Sequence, residues 1–577
     1  MKGVVKFILM FVTSLISIQC SIYNDKEEQI TWKEFNQETF DRAENENKLV
    51  LLDLKANWCH WCHVMDDSTY QNKSVMSYLN KHFVCVKVDQ DANPYLANKY
   101  RKYGWPATIV FDAKGNELTK KSGYINPRKF ELMLQGLTKT PATRVLTANK
   151  NKEVLKTPME VRVAQIQKRT EAHMDVNNGG YNQYQRFIDI GAFEYAVANY
   201  SRPGMKEWIE ASIKGAYKLQ DSEWGGIYQY STYRSWNNPH YEKLLSMQAK
   251  HIQIFTNHFS ITGRKRSLKE AEKIISYCDR FLSLPDGLYA NSQDADLQKG
   301  KHSKGYYNLE GAERYKRGIP PIDASSYTNT NAMIAEAIYR LGMATNKDSY
   351  KEKGLSIMKR LISSRKTENG LFAHDDKFIN VVLEDNIAMA RAMLSFFNFT
   401  QDIYFKKNAI DLLNKMSSYS YENVAFADNP MVSSISRAPE LKENIRICRV
   451  YNLAGHLFNE EQYIQKAKLL LNFLYSNDVS GKVGVNGPLI MAAQEVNRNP
   501  QHIVVVMPRN AGRYLLQAVK CLPVFYKKVE FIAVENLSKN QKDLFGSVKE
   551  VTAFSCSENS CSKPVRDVED VINLINL

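Results

Sequence analysis

The chain is poor in cysteine, glycine and proline, and it contains no long hydrophobic run. Its 577 residues include 9 cysteines, 27 glycines and 17 prolines. Cysteine at this density excludes a disulfide-stapled scaffold, and the low glycine and proline content excludes collagen-like and low-complexity chains. No segment reaches the roughly 20 apolar residues that a membrane-spanning helix needs. The composition is that of a globular protein, 44% apolar and 24% charged.

Concentrated charge of one sign is also absent. The formal net charge is +15, but lysines such as Lys269, Lys273, Lys351 and Lys353 are scattered over predicted helix faces and form no tract. Scattered lysines are typical of a solvated surface, so we expect no nucleic-acid partner. At roughly 150 residues per domain, the length indicates two to four structural units.

The first twenty residues have the layout of a signal peptide. A basic start through Lys6 precedes the apolar stretch 7–18 and a polar segment after Ser21. Residues 1–20 are therefore predicted to direct export, and the protein to be periplasmic or on the outer surface. Lipidation of Cys20 would be its one link to a membrane, although Gln19 stands where lipoprotein signals usually carry Gly, Ala or Ser. Lipid anchoring and simple secretion both stay open.

Residues 29–140 are predicted to form an α/β domain. The apolar runs 48–54, 83–89 and 107–111 have the length of buried strands, and 64–79 has the pattern of a helix. The resulting βαβαβ order is typical of an α/β sheet.

Two cysteines fall at the first strand-to-helix turn, within the run Trp58, Cys59, His60, Trp61, Cys62 and His63. The backbone N–H groups and the dipole at a helix N-terminus stabilise a thiolate, so Cys59 is the predicted nucleophile. Cys62 is predicted to resolve the mixed disulfide, because two intervening residues bring the sulfurs within bonding range. The flanking tryptophans and histidines are candidates to modulate the pair. Protonated histidines would favour the thiolate; the alternative is that both are ordinary surface residues.

This domain resembles the thioredoxins. Asp53 lies six positions before Cys59, where that family keeps a buried proton-relay carboxylate. Pro106 lies in a Gly-Trp-Pro-Ala-Thr loop similar to the one that carries the family's cis-proline. The resemblance implies a thiol-disulfide oxidoreductase that acts on protein thiols or disulfides with a thioredoxin-type reductase or oxidase as partner. It implies no cofactor and no metal.

Two other uses of the cysteine pair stay open. Cys59 and Cys62 followed by His63 also fit the pattern for covalent attachment of c-type haem. A zinc ion held by the pair and a histidine would need a fourth ligand, such as Cys556 or Cys561. The buried strand before the pair and the Trp-Pro loop favour the thioredoxin interpretation.

Residues 141–500 are predicted to be mainly helical. Apolar residues recur at helical spacing, for instance in 333–341 and 387–397. Short aromatic signals, three of them with glycine, lie at 224–228, 286–290, 369–373 and 424–427. Their recurrence every roughly 55 to 80 residues indicates helix pairs joined by short extended turns. We predict about eleven or twelve helices in a closed ring of six hairpins.

This second region resembles the (α/α)6 toroids of glycosidases and sugar epimerases. Together the two regions resemble the spermatogenesis-associated protein 20 type of two-domain proteins, through the cysteine run, the segments 236–244 and 293–296, and the paired cysteines near the end. The candidate toroid pocket comprises Trp236, His240, Glu242, Asp294, Asp296 and Asp323.

The chain departs from that family at several polar positions. The stretch 179–187 lacks the family's lysine and proline residues, Gln293 replaces an acidic residue, and Tyr233 stands where an aspartate is usual. The segment 323–329 lacks the expected lysine and tryptophan. These losses predict a catalytically degenerate toroid that binds a ligand or partner.

A carbohydrate-active enzyme or sugar-binding protein is the alternative. Glycoside hydrolysis normally needs two carboxylates on opposite sides of a sugar bond, and the pocket carboxylates together with Asp385 could supply them. No spacing argument pairs any two of these. Four aromatic residues could stack on a sugar but are expected to belong to the core: Trp224, Tyr228, Trp236 and Tyr289.

Residues 501–577 are predicted to form a small α/β appendage, with strands at 502–507 and 529–534 and a helix at 514–521. Cys556 and Cys561 could form a structural disulfide or exchange electrons with the first pair. The remaining cysteines after residue 20 lie in apolar segments and are expected to be buried thiols: Cys85, Cys278, Cys448 and Cys521.

Overall fold

A computed structural model describes residues 29–139, 157–509, 514–557, 560–568 and 570–574. The predicted signal segment 1–20, with Cys20, lies outside the described residues. Within the described ranges, no helix combines the length and apolar character needed to cross a membrane. The domain limits 29–140, 141–500 and 501–577 stay predictions.

The N-terminal part contains a five-stranded sheet in the order β1-β3-β2-β4-β5. Strand β2 pairs parallel with β3 and antiparallel with β4. The three predicted strands are confirmed. The elements are β1 Trp32–Lys33, α1 Gln37–Asn45, β2 Leu49–Lys55, α2 His60–Ser68, α3 Lys73–His82, β3 Phe83–Asp89, α4 Pro94–Tyr100, β4 Ala107–Phe111, β5 Glu117–Ser122 and α5 Pro127–Lys139.

The predicted single helix 64–79 is wrong, because two helices cover this segment. Helix α2 ends at Ser68, and the side chain of Asn72 accepts a hydrogen bond from the Val75 backbone at 3.2 Å to begin α3. An asparagine side chain in this position satisfies an otherwise unpaired N–H at the new helix start. Between the helices, Tyr70 packs edge-on against Trp32 and Phe130.

The central part is a closed ring of helices. The inner helices α7, α9, α12, α14, α16 and α19 each contact the next, and α19 contacts α7. Each inner helix packs on an outer one, and the ring is closed by α19 with α6 from the opposite end of this region. The predicted six-hairpin toroid is confirmed. Its helices are α6 Met159–His173, α7 Ile190–Ala198, α8 Met205–Ala216, α9 Leu245–Thr262, α10 Lys265–Tyr277, α11 Gly311–Arg317, α12 Thr328–Thr345, α13 Asp348–Ser364, α14 Leu383–Thr400, α15 Ile403–Lys415, α16 Leu441–Phe458, α17 Glu461–Leu474, α18 Asn477–Ser480 and α19 Gly487–Val496.

Short strands lie in the turns before the inner helices: β6 Tyr230–Ser231, β7 Pro239–His240, β8 Lys243–Leu244, β9 Ser292–Gln293, β10 Ile322–Asp323, β11 Ser420–Tyr421 and β12 Ala425–Phe426. The recurrent aromatic signals fall in these turns. Four inner helices carry a buried amide in their first turn, namely Gln248, Asn331, Asn386 and Asn444. Each amide accepts from the backbone N–H and donates to the carbonyl of one residue of the preceding turn, in turn Ile227, Tyr289, Phe372 and Phe426. The sequence repeat is therefore a repeated hydrogen-bonded clamp.

The C-terminal part contains a three-stranded sheet in the order β14-β13-β15. Its strand β14 packs against α14 and α16 of the ring, and helix α20 packs against α12. The predicted strands and helix are confirmed, and β15 is an additional antiparallel strand. Cys556 and Cys561 form a disulfide at its end. The four cysteines expected to be buried thiols are free and buried, namely Cys85, Cys278, Cys448 and Cys521. The elements are β13 Gln501–Met507, α20 Tyr514–Cys521, β14 Lys527–Ala533, α21 Lys539–Phe545 and β15 Thr552–Cys556.

Candidate functional site

The cysteine pair lies at the N-terminus of α2, directly after β2. Cys59 occupies the capping position, and its Sγ accepts a hydrogen bond from the Cys62 backbone N–H at 3.2 Å. The two sulfurs form a disulfide. A helix N-terminus stabilises negative charge, so the fold favours a thiolate on Cys59 once the bond opens.

The toroid covers this pair. Only 5% of Cys59 and 2% of Cys62 is exposed. Trp58 belongs to the same buried cluster as both cysteines, and Leu244 of β8 in the toroid packs against this cluster. Trp58 also donates a hydrogen bond through Nε1 to Asp91 Oδ2 at 2.6 Å. The reactive sulfurs therefore lie at the interface between the thioredoxin-like domain and the ring.

Both histidines of the cysteine run bind toroid carboxylates. His60 Nδ1 lies 2.6 Å from Asp296 Oδ2, and His63 Nε2 lies 2.9 Å from Asp294 Oδ2. All four side chains are buried. The alternative that these are surface histidines is wrong, because the toroid covers both rings. Two motifs that the sequence analysis treated separately thus form one site.

Asp53 is buried below this turn, in the middle of β2. Its Oδ1 has no hydrogen-bond partner, and the nearest cation is Lys87, with Nζ 3.8 Å from Oδ2. Burial raises the pKa of Asp53 to about 6, since the desolvation of the carboxylate outweighs the attraction of Lys87. A carboxyl group with this pKa can gain and lose a proton near neutral pH, as its predicted proton-relay role requires.

The proline loop completes the thioredoxin-like site. The Trp105–Pro106 peptide bond is cis, as the resemblance to thioredoxins implies, and β4 begins at the next residue. Trp105 packs against the buried cysteine cluster. Trp61 instead remains 44% exposed, with its ring 5.9 Å from that of Tyr124.

Asp323 lies at the edge of the same interface. Its Oδ2 is 3.5 Å from the side-chain amides of Asn57 and Asn291. It lines a cavity of about 270 Å³ together with Trp58 and Lys299. The walls of this cavity therefore come from both parts of the chain.

Glu242 and His240 lie near the histidine contacts, whereas Trp236 does not join them. Burial raises the pKa of Glu242 to about 8, and its Oε2 lacks a hydrogen-bond partner 4.0 Å from His240 Nδ1. Trp236 is packed against Gly215, and its Nε1 donates to the Asn178 carbonyl at 2.7 Å. The structure therefore places Trp236 in the core, as it does the other three aromatic residues considered for sugar stacking.

The segment after β3 forms a second contact that the sequence analysis missed. The backbone carbonyl of Asp91 accepts a hydrogen bond from His374 Nε2 at 2.7 Å, while His374 Nδ1 lies 2.8 Å from Asp385 Oδ2. Asn291 donates to Asp91 Oδ2 at 2.9 Å. Burial and the neighbouring Asp91 raise the pKa of Asp89 to about 8. In the sequence, the two acidic residues at the carboxyl end of the buried strand β3, Asp89 and Asp91, could have indicated this contact.

The alternative zinc ligands are divided between two disulfides. Cys59 is bonded to Cys62, and Cys556 is bonded to Cys561 in the C-terminal sheet. In the described part of the chain, one group of three side chains has the spacing of a metal site: His60, Asp296 and His302. His302 was not a predicted site residue.

Comparison with known proteins agrees with this architecture. Residues 15–162 match a family model of the DsbH-type thioredoxin domain, described as a protein of unknown function, DUF255. Mouse spermatogenesis-associated protein 20 is 26% identical over 370 residues, which are 56% of this chain and 46% of the mouse protein. The chain thus matches about half the length of that relative.

Two further similarities each concern one part of the chain. The thiol:disulfide interchange protein DsbD of Yersinia pestis is 32% identical over 106 residues, 17% of each chain. Cellobiose 2-epimerase from Bacillus thermoamylovorans aligns with 55% of this chain and 86% of its own, at 10% identity and a TM-score of 0.45. The chain therefore joins a segment similar to DsbH-type thioredoxin domains to a closed ring of six helical hairpins, and it is similar to spermatogenesis-associated protein 20.

Proposed function

We propose that the chain is a thiol-disulfide oxidoreductase whose cysteine pair works under the cover of the toroid. The observation that carries this proposal is a Cys59–Cys62 disulfide at a helix N-terminus, packed against the loop of Trp105 and preceded by a strand that buries Asp53. Each of these features serves thiol chemistry, and together they go beyond a structural disulfide.

The exchange can be written from the oxidised pair. A substrate thiolate attacks Cys59 Sγ, so that a mixed disulfide forms and the Cys59–Cys62 bond breaks, with Cys62 leaving as a thiolate. A second substrate thiolate then attacks the substrate sulfur, and Cys59 leaves as a thiolate at the helix N-terminus. The substrate loses two electrons and becomes a disulfide, and the pair gains them. The reverse sequence reduces a substrate disulfide.

Asp53 donates a proton to Cys62 or accepts one from it during these steps. Its pKa of about 6 leaves a fraction of the carboxyl protonated near neutral pH, so it can protonate the Cys62 thiolate when the disulfide opens. In the reverse direction its carboxylate accepts the proton of the Cys62 thiol.

The toroid restricts which substrates reach the pair. Leu244 packs on the cysteine cluster, and Asp294 and Asp296 bind the two histidines of α2, so a large protein surface cannot approach Cys59 while these contacts persist. Small thiols or flexible segments fit this enclosure better than folded proteins. A partner reductase or oxidase would need the same access.

A carbohydrate ligand in the interface cavity is the second candidate. The cavity has polar walls, with Asn57 from the thioredoxin-like domain and Lys299 and Asp323 from the toroid. Asp294 and Asp296, which could serve glycoside hydrolysis, already bind histidines, and this favours ligand binding over catalysis. Thermal-shift screening with oligosaccharides tests this candidate, and Asp323→Asn should remove any stabilisation that arises from this cavity.

We also propose export, to the periplasm or outer surface. The layout of residues 1–20 and the Cys556–Cys561 disulfide support this, because disulfides persist in oxidising compartments. Whether Cys20 carries a lipid is tested by mass spectrometry of the mature protein.

A redox titration of the purified chain tests the main proposal. Equilibration in thiol-disulfide buffers followed by alkylation and peptide mass analysis should give a reversible two-electron transition at Cys59 and Cys62. The double variant Cys556→Ser/Cys561→Ser is the control and should retain that transition, whereas Cys59→Ser should lose it. A pair that does not titrate reversibly would contradict the proposal, and a Soret band would establish haem instead.

A further inference from the structure

Three side chains converge where α2 meets the toroid. His60, Asp296 and His302 each offer one ligand atom, and these three atoms lie within 4.8 Å of one another. The His60 ring stacks on the His302 ring with 3.5 Å between centroids, while its Nδ1 lies 2.6 Å from Asp296 Oδ2. His60 comes from the thioredoxin-like domain and the other two from the toroid, so the group bridges the interface.

The donor set suits a borderline divalent ion. Two imidazole nitrogens and one carboxylate oxygen are typical ligands of Zn²⁺, which often takes a water molecule as its fourth ligand. Ligand atoms around tetrahedral zinc are roughly 3.3 Å apart for bond lengths near 2.0 Å. His60 and Asp296 are buried and fixed, whereas His302 is exposed on a loop and can rotate to close the set. Its exposure also gives an ion a path of entry.

A buried carboxylate beside this group supplies a second observation. Glu242 is 4% exposed and its Oε2 has no hydrogen-bond partner. Asp294 and Asp296 act on it electrostatically as neighbouring negative charges. A buried acceptor without a partner is costly. A cation held by the neighbouring side chains would stabilise the ionised form of Glu242.

We propose that His60, Asp296 and His302 bind a divalent transition-metal ion, with Zn²⁺ as the expected occupant, and that this ion fastens α2 to the toroid. The pair Cys59 and Cys62 takes no part, because both sulfurs are in a disulfide. The proposal is independent of the exchange reaction, since it concerns only how the two parts of the chain are held together.

Calorimetric titration of the full oxidised chain with Zn²⁺ tests the site. One equivalent should bind, and Co²⁺ should give the visible absorption of a low-coordinate nitrogen-oxygen site. The variant His302→Gln should weaken binding by roughly tenfold or more. The matched control is His173→Gln, which changes another exposed histidine, on α6, and should bind as the unmodified chain does.

Several outcomes would overturn the proposal. Absence of zinc binding by the oxidised chain would do so, as would equal affinity of the His302→Gln variant. Binding only after reduction would assign the ion to the cysteines and equally contradict the site. Because His302 is exposed, its variant is expected to fold, and circular dichroism checks this. Asp296→Asn provides an independent second variant and should also weaken binding.

Discussion

Replacing the buried Asp53 with asparagine should stabilise the thioredoxin-like domain while impairing thiol-disulfide exchange. The pKa of Asp53 rises from 3.8 to about 6 because desolvation of the buried carboxylate outweighs the attraction of Lys87. This rise corresponds to about 3 kcal/mol, by which ionisation of Asp53 disfavours the folded state. Below about pH 4 Asp53 is protonated in both states and does not lower the free energy of unfolding. That free energy falls as the pH rises from about 4 through about 6, the pKa of Asp53 in the folded chain.

Asparagine has nearly the same shape and carries no charge, so Asp53→Asn should gain up to about 3 kcal/mol in free energy of unfolding at pH 8 and little at pH 4. Native-state hydrogen exchange of the β2 amides measures this locally, in the oxidised chain at both pH values. The control Asp41→Asn changes an exposed carboxylate of α1 and should alter neither value. Equal protection of Asp53→Asn and the unmodified chain at pH 8, or a gain independent of pH, would show that ionisation of Asp53 does not destabilise the fold.

Three further predictions follow from contacts elsewhere. Asp294→Ala removes the partner of His63 and should expose the reduced cysteines, so a bulky maleimide should react with them several-fold faster than in the unmodified chain. The control Asp376→Ala, at an exposed position, should leave the rate unchanged. A slower or equal rate in Asp294→Ala would contradict the covering role of the toroid. Asn386→Ala removes the buried clamp on Phe372 and should lower the stability of the ring by about 2 to 4 kcal/mol, as measured by hydrogen exchange. The control Asn408→Ala, at a partly exposed position on α15, should cost less than about 0.5 kcal/mol. The double variant Cys556→Ser/Cys561→Ser should destabilise the C-terminal sheet by about 2 kcal/mol in the same assay, and an unchanged β13 would show that the disulfide has no stabilising role.

Local patterns predicted most of the fold. The apolar run that becomes β2 and the cysteines directly after it specify a strand-turn-helix unit, and the structure confirms that placement. The aromatic signals predicted the ring because each marks one turn, and the clamps from Asn331, Asn386 and related amides explain their recurrence. The sequence did not reveal the split of helix 64–79, because in one continuous helix Asn72 would fall on the polar face. In the structure Asn72 instead caps the start of α3.

The interface could not be predicted in the same way. His60 and Asp296 are 236 positions apart, and His63 and Asp294 are 231 apart, so only the packing of two domains brings them together. Their motifs were recognised, but each was interpreted within its own domain. His302 lies in a polar stretch with no periodic pattern. No local signal marks it as part of the site.

Chemical trapping of a mixed disulfide shows whether Cys59 is the cysteine that exchanges with substrate. The Cys62→Ser chain, incubated with glutathione disulfide and analysed by peptide mass spectrometry, lacks the thiol that would release the adduct. One glutathione per chain should be attached to Cys59. The adduct should be absent from Cys59→Ser. An unmodified Cys59, with or without glutathione on Cys85 or another buried thiol, would show that Cys59 is not the exchanging cysteine.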